Sequence, residues 1–145
     1  MFKRILIAYD GSKGADMALS RAVELGALTG AELLVLTIHR HHSLLEASFS
    51  MVRPEDPANI DDVLRDHARE VAETGKRRAI EAGATRVRAY IKGGQPARGI
   101  VQFAEEHGAD LIVLGSRGLG SVEQYLLGSV SHKVTGIADC PVLVV

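Results

Sequence analysis

Short apolar runs alternate along this chain with longer segments in which apolar residues recur at helical spacing. Five runs, at residues 5–8, 33–38, 87–91, 111–114 and 141–145, are short enough to be strands. Several of them are apolar at consecutive positions, as strands covered on both faces must be. The pattern therefore predicts a parallel sheet of five buried strands.

The segments between these runs predict four helices, the first of which follows a Ser12 cap. Their defining positions are Ala18, Leu19, Ala22, Leu25 and Gly26; then Ile60, Val63, Leu64, His67 and Val71; then Ala97, Ile100, Val101 and Ala104; and last Val130, Val134 and Ile137. This alternation predicts an α/β fold, a doubly wound, Rossmann-like sheet of order 3-2-1-4-5 with helices on both faces. We expect one such domain over residues 1–145.

In a sheet of this order the direction of winding reverses between the first and the fourth strand. Ligands of such folds bind at that point, beyond the carboxyl ends of the strands. Asp10 follows the first strand and Gly115 follows the fourth. We therefore expect both residues at a ligand site.

Two glycine turns lie in this region of the predicted fold. Gly115-Ser116-Arg117-Gly118 leaves the fourth strand, and Gly128-Ser129 opens the last helix after nine further residues. Residues without a β-carbon let main-chain N–H groups approach a phosphate closely, and a helix N-terminus adds further donors. The pattern favours a phosphate site, in which the amides of residues 116–118 face one end of a polyphosphate. The alternative is that the glycines shape a surface turn and Ser129 caps the helix.

Two better-known phosphate loops are excluded by the same residues. Ser121-Val122 stands where a P-loop requires lysine and a hydroxyl residue. The dinucleotide fingerprint is absent too, because Gly115, Gly118 and Gly120 give the spacing G-x-x-G-x-G after the fourth strand.

Composition narrows the classes of partner and compartment. The chain has 145 residues and a formal net charge of −1, which gives no electrostatic reason to expect nucleic acid or an anionic membrane as a partner. The single cysteine, Cys140, excludes an internal disulfide bond, and no apolar run approaches the roughly 20 residues of a membrane span. We expect a cytoplasmic protein.

The combined motifs resemble those of the ATP-binding universal stress protein family of the UspA type. They comprise the spacing G-x2-G-x9-G-S, Asp10-Gly11-Ser12 and the segments at 126–131 and 140–145. The likeness covers essentially the whole chain. It implies a nucleotide-dependent regulator or sensor in the stress response.

This resemblance also implies a place for each part of ATP. Adenine would lie at the ends of strands one and two, the ribose and inner phosphates on the first glycine turn, and the outer phosphates on the last helix. The implied residues are Ala8, Asp10, Ile38, Gly115, Ser116, Arg117, Gly118, Gly128, Ser129, Val130 and Ser131. Three of them have structural alternatives. Asp10 would cap the first helix or brace a turn before Gly11, Ile38 would be a core residue, and Ser131 would be an ordinary first-turn residue.

Catalysis has less support than binding. The sequence has no G-x-S-x-G elbow, and Cys140, before Pro141, is typical of a buried, inert thiol. Mg²⁺ would bind chiefly through the phosphates with help from Ser129, but no carboxylate adjoins the second glycine turn. The prediction is ATP binding without dedicated hydrolysis. The alternatives are a slow, metal-dependent ATPase or phosphotransferase and a nucleotide-free partner-binding module.

Residues 39–58 form a connection longer than most in compact domains. His39, His41 and His42 invite a metal site, but Glu46 is the one further ligand nearby, so a solvated or partner-facing loop is favoured. The run at 41–54 is similar to that of universal stress proteins associated with TRAP-type solute transporters. It implies a regulatory membrane-transporter partner, the alternative being a loop shared by ancestry.

The last predicted strand, at 141–145, is apolar and terminates the sheet. An unprotected edge of this kind tends to be covered by a partner. In the family that the chain resembles, this strand pairs across a homodimer twofold. We therefore expect a homodimer or a tetramer, the alternative being a last strand covered by the chain's own helices.

Overall fold

A computed structural model describes residues 1–40, 57–117 and 127–145. Five strands alternate with four helices in these ranges. In chain order they are β1 (Arg4–Ala8), α1 (Lys13–Thr29), β2 (Glu32–His39), α2 (Pro57–Glu81), β3 (Val87–Gly93), α3 (Pro96–His107), β4 (Leu111–Leu114), α4 (Ser129–Ile137) and β5 (Val142–Val144). Most of the predicted 39–58 connection lies outside the described residues.

The five strands form one parallel sheet of order β3-β2-β1-β4-β5, which confirms the predicted topology. β1 is central, and its Ile5 lies opposite Leu33 of β2 and Leu111 of β4. Since β1 is flanked by strands reached through crossovers in opposite directions, the carboxyl ends of β1 and β4 diverge there into a cleft.

Each face of the sheet is covered by two helices. α1 and α2 pack on the face that carries Ile5 and Ile7, whereas α3 and α4 pack on the face that carries Leu6. All three side chains are fully buried. This double burial is the physical reason for the consecutive apolar residues in the strands.

The buried face of α2 differs from the predicted one. Val63 is 65% exposed, and the buried residues of the helix are small, namely Ala68, Ala72, Gly75 and Ala79. Of the predicted positions, Val71 does pack against the core, partly buried. A β-carbon on Gly75 would lie 2.8 Å from the ring of Tyr9, which follows β1, and 3.0 Å from Val35 of β2. At this point the helix therefore lies too close to the sheet for a larger side chain.

No helix in the described parts of the chain combines the length and the apolar character that crossing a bilayer requires.

Candidate functional site

An open cleft of about 620 Å³ lies at the carboxyl edge of the sheet, above the end of β1. Its walls come from the ends of β1, β2 and β4 and from the starts of α1, α3 and α4. The lining residues are Ala8, Tyr9, Asp10, Ser12, Ala15, Leu36, Ile38, Arg40, Pro96, Ile100, Leu114, Gly115, Arg117, Gly128, Ser129, Val130 and Ser131.

Nine of the eleven residues predicted to bind nucleotide line this one cleft. They come from four parts of the sequence, which the sheet order brings together. These nine are Ala8, Asp10, Ile38, Gly115, Arg117, Gly128, Ser129, Val130 and Ser131. Gly118 lies outside the described residues.

Among the predicted residues that the structure describes, Ser116 alone does not line the cleft. Its amide donates to the carbonyl of Val145 at 2.9 Å, and its carbonyl accepts from the amide of Gly128 at 2.6 Å. The Ser116 amide was expected to face a phosphate, but this bond to Val145 occupies it. Ser116 instead joins the two glycine turns and ties them to the end of the chain.

Asp10 both lines the cleft and braces a turn. Its Oδ1 accepts the amide of Ser12 at 2.9 Å, across Gly11, whose φ of 83° favours glycine. The Ser12 hydroxyl in turn accepts the amide of Ala15 at 3.1 Å, which confirms Ser12 as the cap of α1. The carboxylate is therefore held in one orientation at the end of β1.

The N-terminus of α4 differs from those of α1 and α3, which also begin at this edge of the sheet. Ser12 caps α1, and the side chain of Gln95 caps α3 by accepting the amide of Arg98 at 2.8 Å. The cap residue of α4 is Gly128, so the predicted alternative of a Ser129 cap is wrong. Because glycine has no side-chain oxygen, the first-turn amides of α4 receive no acceptor from their cap residue.

Two serines in the first turn of α4 have different environments. Ser129 is exposed, whereas Ser131 is 3% exposed. The Ser131 hydroxyl lies 2.6 Å from the carbonyl of Gly115 and 3.1 Å from that of Ser116, and donates to them. Its role in the structure is to fasten α4 to the turn that leaves β4.

An apolar wall completes the cleft on the side of β2 and α3. Ile38 belongs to this wall and also packs on α3, where its Cδ1 lies 3.1 Å from the position of a β-carbon on Gly99. Leu36 and Ile100 are almost completely buried behind it. A flat aromatic ring could bury one face against such a surface.

Sequence reasoning missed eight of the lining residues. Most of them lie one or two positions from a predicted site residue in the sequence. That proximity is the signal by which they could have been found. They are Tyr9, Ser12, Ala15, Leu36, Arg40, Pro96, Ile100 and Leu114.

Tyr9 carries a polar network on the side of the sheet away from the apolar wall. Its hydroxyl donates to Asp16 at 2.6 Å and accepts from Arg78 at 3.1 Å, while Arg78 also donates to Asp16 at 2.7 Å. Burial, followed by the hydrogen bond and the charge of Asp16, raises the pKa of Tyr9 to about 12. The network joins α1 and α2 directly behind the cleft.

The remaining reactive side chains give little support for a nucleophile or a metal site. Burial raises the pKa of the Cys140 thiol, which disfavours the nucleophilic thiolate. Within the described ranges, no three His, Cys, Asp or Glu side chains are grouped as metal ligands. The predicted candidates His41, His42 and Glu46 lie outside those ranges.

Comparison with known proteins places the chain in a family. The model of the Universal stress protein family matches residues 1–145. Universal stress protein YxiE of Bacillus subtilis is 36% identical over 148 residues, which cover all of this chain and 99% of that protein. A universal stress protein of Thermus aquaticus is 37% identical, with the same coverage of both chains.

Solved structures agree with the fold. The universal stress protein UspA from Lactobacillus plantarum superposes with a TM-score of 0.83 at 25% identity, covering 99% of this chain and 97% of that one. A universal stress protein in complex with cAMP superposes with a TM-score of 0.74 at 28% identity, covering 99% and 97%. With the family model matching from end to end, the chain belongs to the universal stress protein family.

Proposed function

We propose that this chain binds an adenine nucleotide in the cleft and acts as a nucleotide-dependent regulator or sensor. The observation that carries the proposal is the convergence of nine predicted residues on one cleft at the switch point of the sheet. A further support is the related universal stress protein that was solved in complex with cAMP.

The two ends of the cleft suit the two ends of a nucleotide. The base packs on the apolar wall at Ala8 and Ile38, and Asp10 lies beside the nucleoside. The phosphates lie at the N-terminus of α4, where uncapped amides and the helix dipole favour anions. ATP is the proposed ligand, with Mg²⁺ held through its phosphates and assisted by the exposed hydroxyl of Ser129.

Calorimetry with ATP tests this assignment. Gly128→Leu adds a side chain at the mouth of the cleft and should abolish binding while the protein stays folded. Gly136→Leu is the matched control, because the opposite end of the same helix has open space around that glycine. Equal ATP affinity in the two variants would overturn the proposed phosphate position.

We further propose that binding occurs without dedicated hydrolysis. Among the described lining residues, Asp10 is the single carboxylate, and one of its oxygens already accepts the Ser12 amide. Water activation needs a positioned base and a metal across the outer phosphates. Turnover with Mg²⁺ and ATP should therefore fall below the usual enzyme range of about 1–10³ s⁻¹. A rate inside that range would support the alternative, an ATPase or phosphotransferase.

We propose that β5 forms the interface of a homodimer, which could pair again into a tetramer. β5 is an edge strand, its Leu143 is 36% exposed, and residues 141–145 have no charged side chain that would oppose edge pairing. A nucleotide in the cleft would then lie close to the interface, because Ser116 joins the cleft to Val145.

The regulatory partner that we propose is a TRAP-type solute transporter, contacted from the cytoplasm through residues 39–58. This proposal rests on the sequence similarity of that segment alone. Binding of the full chain to a purified transporter, measured with and without ATP, tests it. Undiminished binding by a variant with a scrambled 43–53 segment would exclude that segment as the contact.

A further inference from the structure

β3 is the second edge of the sheet, on the side away from β5. In the described parts of the chain no strand pairs with its outer side. β3 runs from Val87 to Gly93, whereas β5 runs only from Val142 to Val144. The pairing of β3 with β2 is continuous over its length, with no bulge among those residues to turn the edge away. A long, regular edge of this kind is a template for a further strand.

The main chain of β3 presents hydrogen-bonding groups on this open side. The amide of Leu33 in β2 donates to the carbonyl of Arg86 at 2.8 Å, so the main chain at position 86 points toward β2. Since the main-chain groups of successive residues point to alternate sides of a strand, those of Val87, Ala89 and Ile91 point outward. These three residues supply the donors and acceptors that an added strand requires.

A cluster of three arginines surrounds Glu32 at the amino end of the same edge. The Nε of Arg4, the Nη2 of Arg86 and the Nε of Arg88 lie 3.7, 3.9 and 3.1 Å from the oxygens of this carboxylate. The Glu32 side chain is 13% exposed, whereas the three arginine side chains are 52%, 65% and 69% exposed. One carboxylate cannot neutralise three guanidinium groups, so the cluster carries an excess of two positive charges that solvent and partners can reach.

This excess lies at the open side of the cluster. Arg4 belongs to the central strand β1 and donates to the last main-chain carbonyl of α3 at 2.9 Å. Asp110 accepts the main-chain amides of Lys3 and Arg4 at 2.8 and 3.1 Å, and the charge of Lys3 balances its own. Arg86 and Arg88 remain as the outermost cations, and residues two positions apart in a strand lie on the same face.

The charges of β3 oppose pairing with a second copy of this chain. Antiparallel pairing of two copies about Tyr90 would set each Arg88 against a Lys92, and pairing about Ala89 would set each Arg86 against a Lys92. Like charges directly opposite each other destabilise a strand pair. Carboxylates at the same positions of an added strand would instead be attracted.

We propose that β3 is a docking edge for an extended, acidic segment of a partner protein, which joins the sheet as a sixth strand. Main-chain hydrogen bonds to Val87, Ala89 and Ile91 hold the segment, and its alternate carboxylates lie beside Arg86 and Arg88. The arginine cluster lies at the amino ends of the strands, whereas the nucleotide cleft lies at their carboxyl ends. The docking edge is therefore independent of the proposed nucleotide site.

Calorimetry with a short, end-blocked peptide of alternating valine and glutamate tests the proposal, with amide chemical shifts to locate the contact. The acidic peptide should bind and should shift the amides of Val87, Ala89 and Ile91. A peptide with lysine in place of glutamate should not bind, because its charges repel those of the arginines. The acidic peptide methylated on every main-chain nitrogen should not bind either, because it keeps the charges but lacks the donors that pair with β3.

The double substitution Arg86→Ala/Arg88→Ala should weaken binding of the acidic peptide by roughly tenfold, as expected for the loss of two exposed ion pairs. Arg21→Ala/Arg65→Ala is the matched control, because both arginines are exposed on helices and pair with carboxylates at 3.0 and 3.4 Å. It removes the same charge and should leave binding unchanged.

Three results would overturn the proposal. Absence of binding at millimolar acidic peptide would show that the arginines serve to protect the edge from pairing. Equal binding of the methylated peptide would show attraction by charge without strand addition. Equal weakening in the two double variants would show that the net charge of the protein, and not this edge, attracts the peptide.

Discussion

Gly14 and Gly115 are in direct main-chain contact. A β-carbon on Gly115 would lie 2.7 Å from the carbonyl carbon of Gly14, and one on Gly14 would lie 2.6 Å from the carbonyl oxygen of Arg117. The first turn of α1 therefore packs on the main chain of the turn that leaves β4. Gly115 is required by this packing, independently of any phosphate.

We expect Gly14→Ala to destabilise the protein although alanine is the better helix former. The added methyl group meets main-chain atoms that cannot move aside alone, and such overpacking costs about 1–3 kcal/mol. Chemical denaturation measures the change in the free energy of unfolding. Because the displaced turn carries Arg117, ATP affinity should fall as well.

Gly136→Ala is the matched control for this substitution. Gly136 also lies in a helix, but a β-carbon there would meet nothing within 4 Å. It should be neutral or stabilising, by up to about 1 kcal/mol from helix propensity. Equal stability of the two variants would show that the contact at Gly14 is not tight.

Ser131→Ala should destabilise the protein more than Ser129→Ala. The first substitution removes the hydroxyl that donates to the carbonyl of Gly115 at 2.6 Å in a buried setting, which is worth about 1–2 kcal/mol. The exposed Ser129 should change stability by less than about 0.5 kcal/mol. Thermal or chemical unfolding of both variants measures the difference, and Ser131→Thr, which keeps the hydroxyl, should recover part of it. The reverse order of stability would contradict the fastening role of Ser131.

Stability should decline at high pH because of Tyr9. The folded state raises the pKa of Tyr9 to about 12 from the ordinary value of 10.0, so folding favours the protonated phenol. Its contribution is complete below pH 10 and is lost as the pH rises from 10 toward 12. Denaturant midpoints across this range, compared between the unaltered protein and Tyr9→Phe, should show a steeper decline in the former. Parallel curves would exclude the effect.

Leu143→Lys should convert the proposed dimer to a monomer. The substitution places a charge on the apolar edge strand, where pairing with a second copy would bury it. Leu28→Lys is the control, since Leu28 is 83% exposed on α1, away from β5. Light scattering should give the dimer mass for the control and the monomer mass for Leu143→Lys. A dimer in both variants would place the interface elsewhere.

The sheet could be predicted because its strands are runs of large apolar residues. The position of the cleft could be predicted because it follows from the order of the strands. Ile5 and Ile112 belong to runs buried on both faces, and such runs alternate with helices in few ways. Once the order is fixed, Asp10 and Gly115 must meet at one edge. That inference needs no knowledge of individual contacts.

The face of α2 and the role of Ser116 could not be predicted in the same way. The helix is buried through Ala72 and Gly75, which carry a weak hydrophobic signal, while the more apolar Val63 points outward. Ser116 donates to Val145, a residue distant in sequence whose carbonyl has no distinguishing side chain. Main-chain contacts of this kind cannot be predicted from residue type, because nearly every residue carries the same main-chain donor and acceptor.

The central position of β1 also constrains how the chain is made. Of the five strands β1 is synthesised first, yet its neighbour β4 begins at Leu111, more than a hundred residues later. Until then one edge of β1, which is apolar from Ile5 to Ala8, has no native partner. We expect the growing chain to depend on β2 and α1 to shield β1, so that slow synthesis between β3 and β4 would favour aggregation over folding.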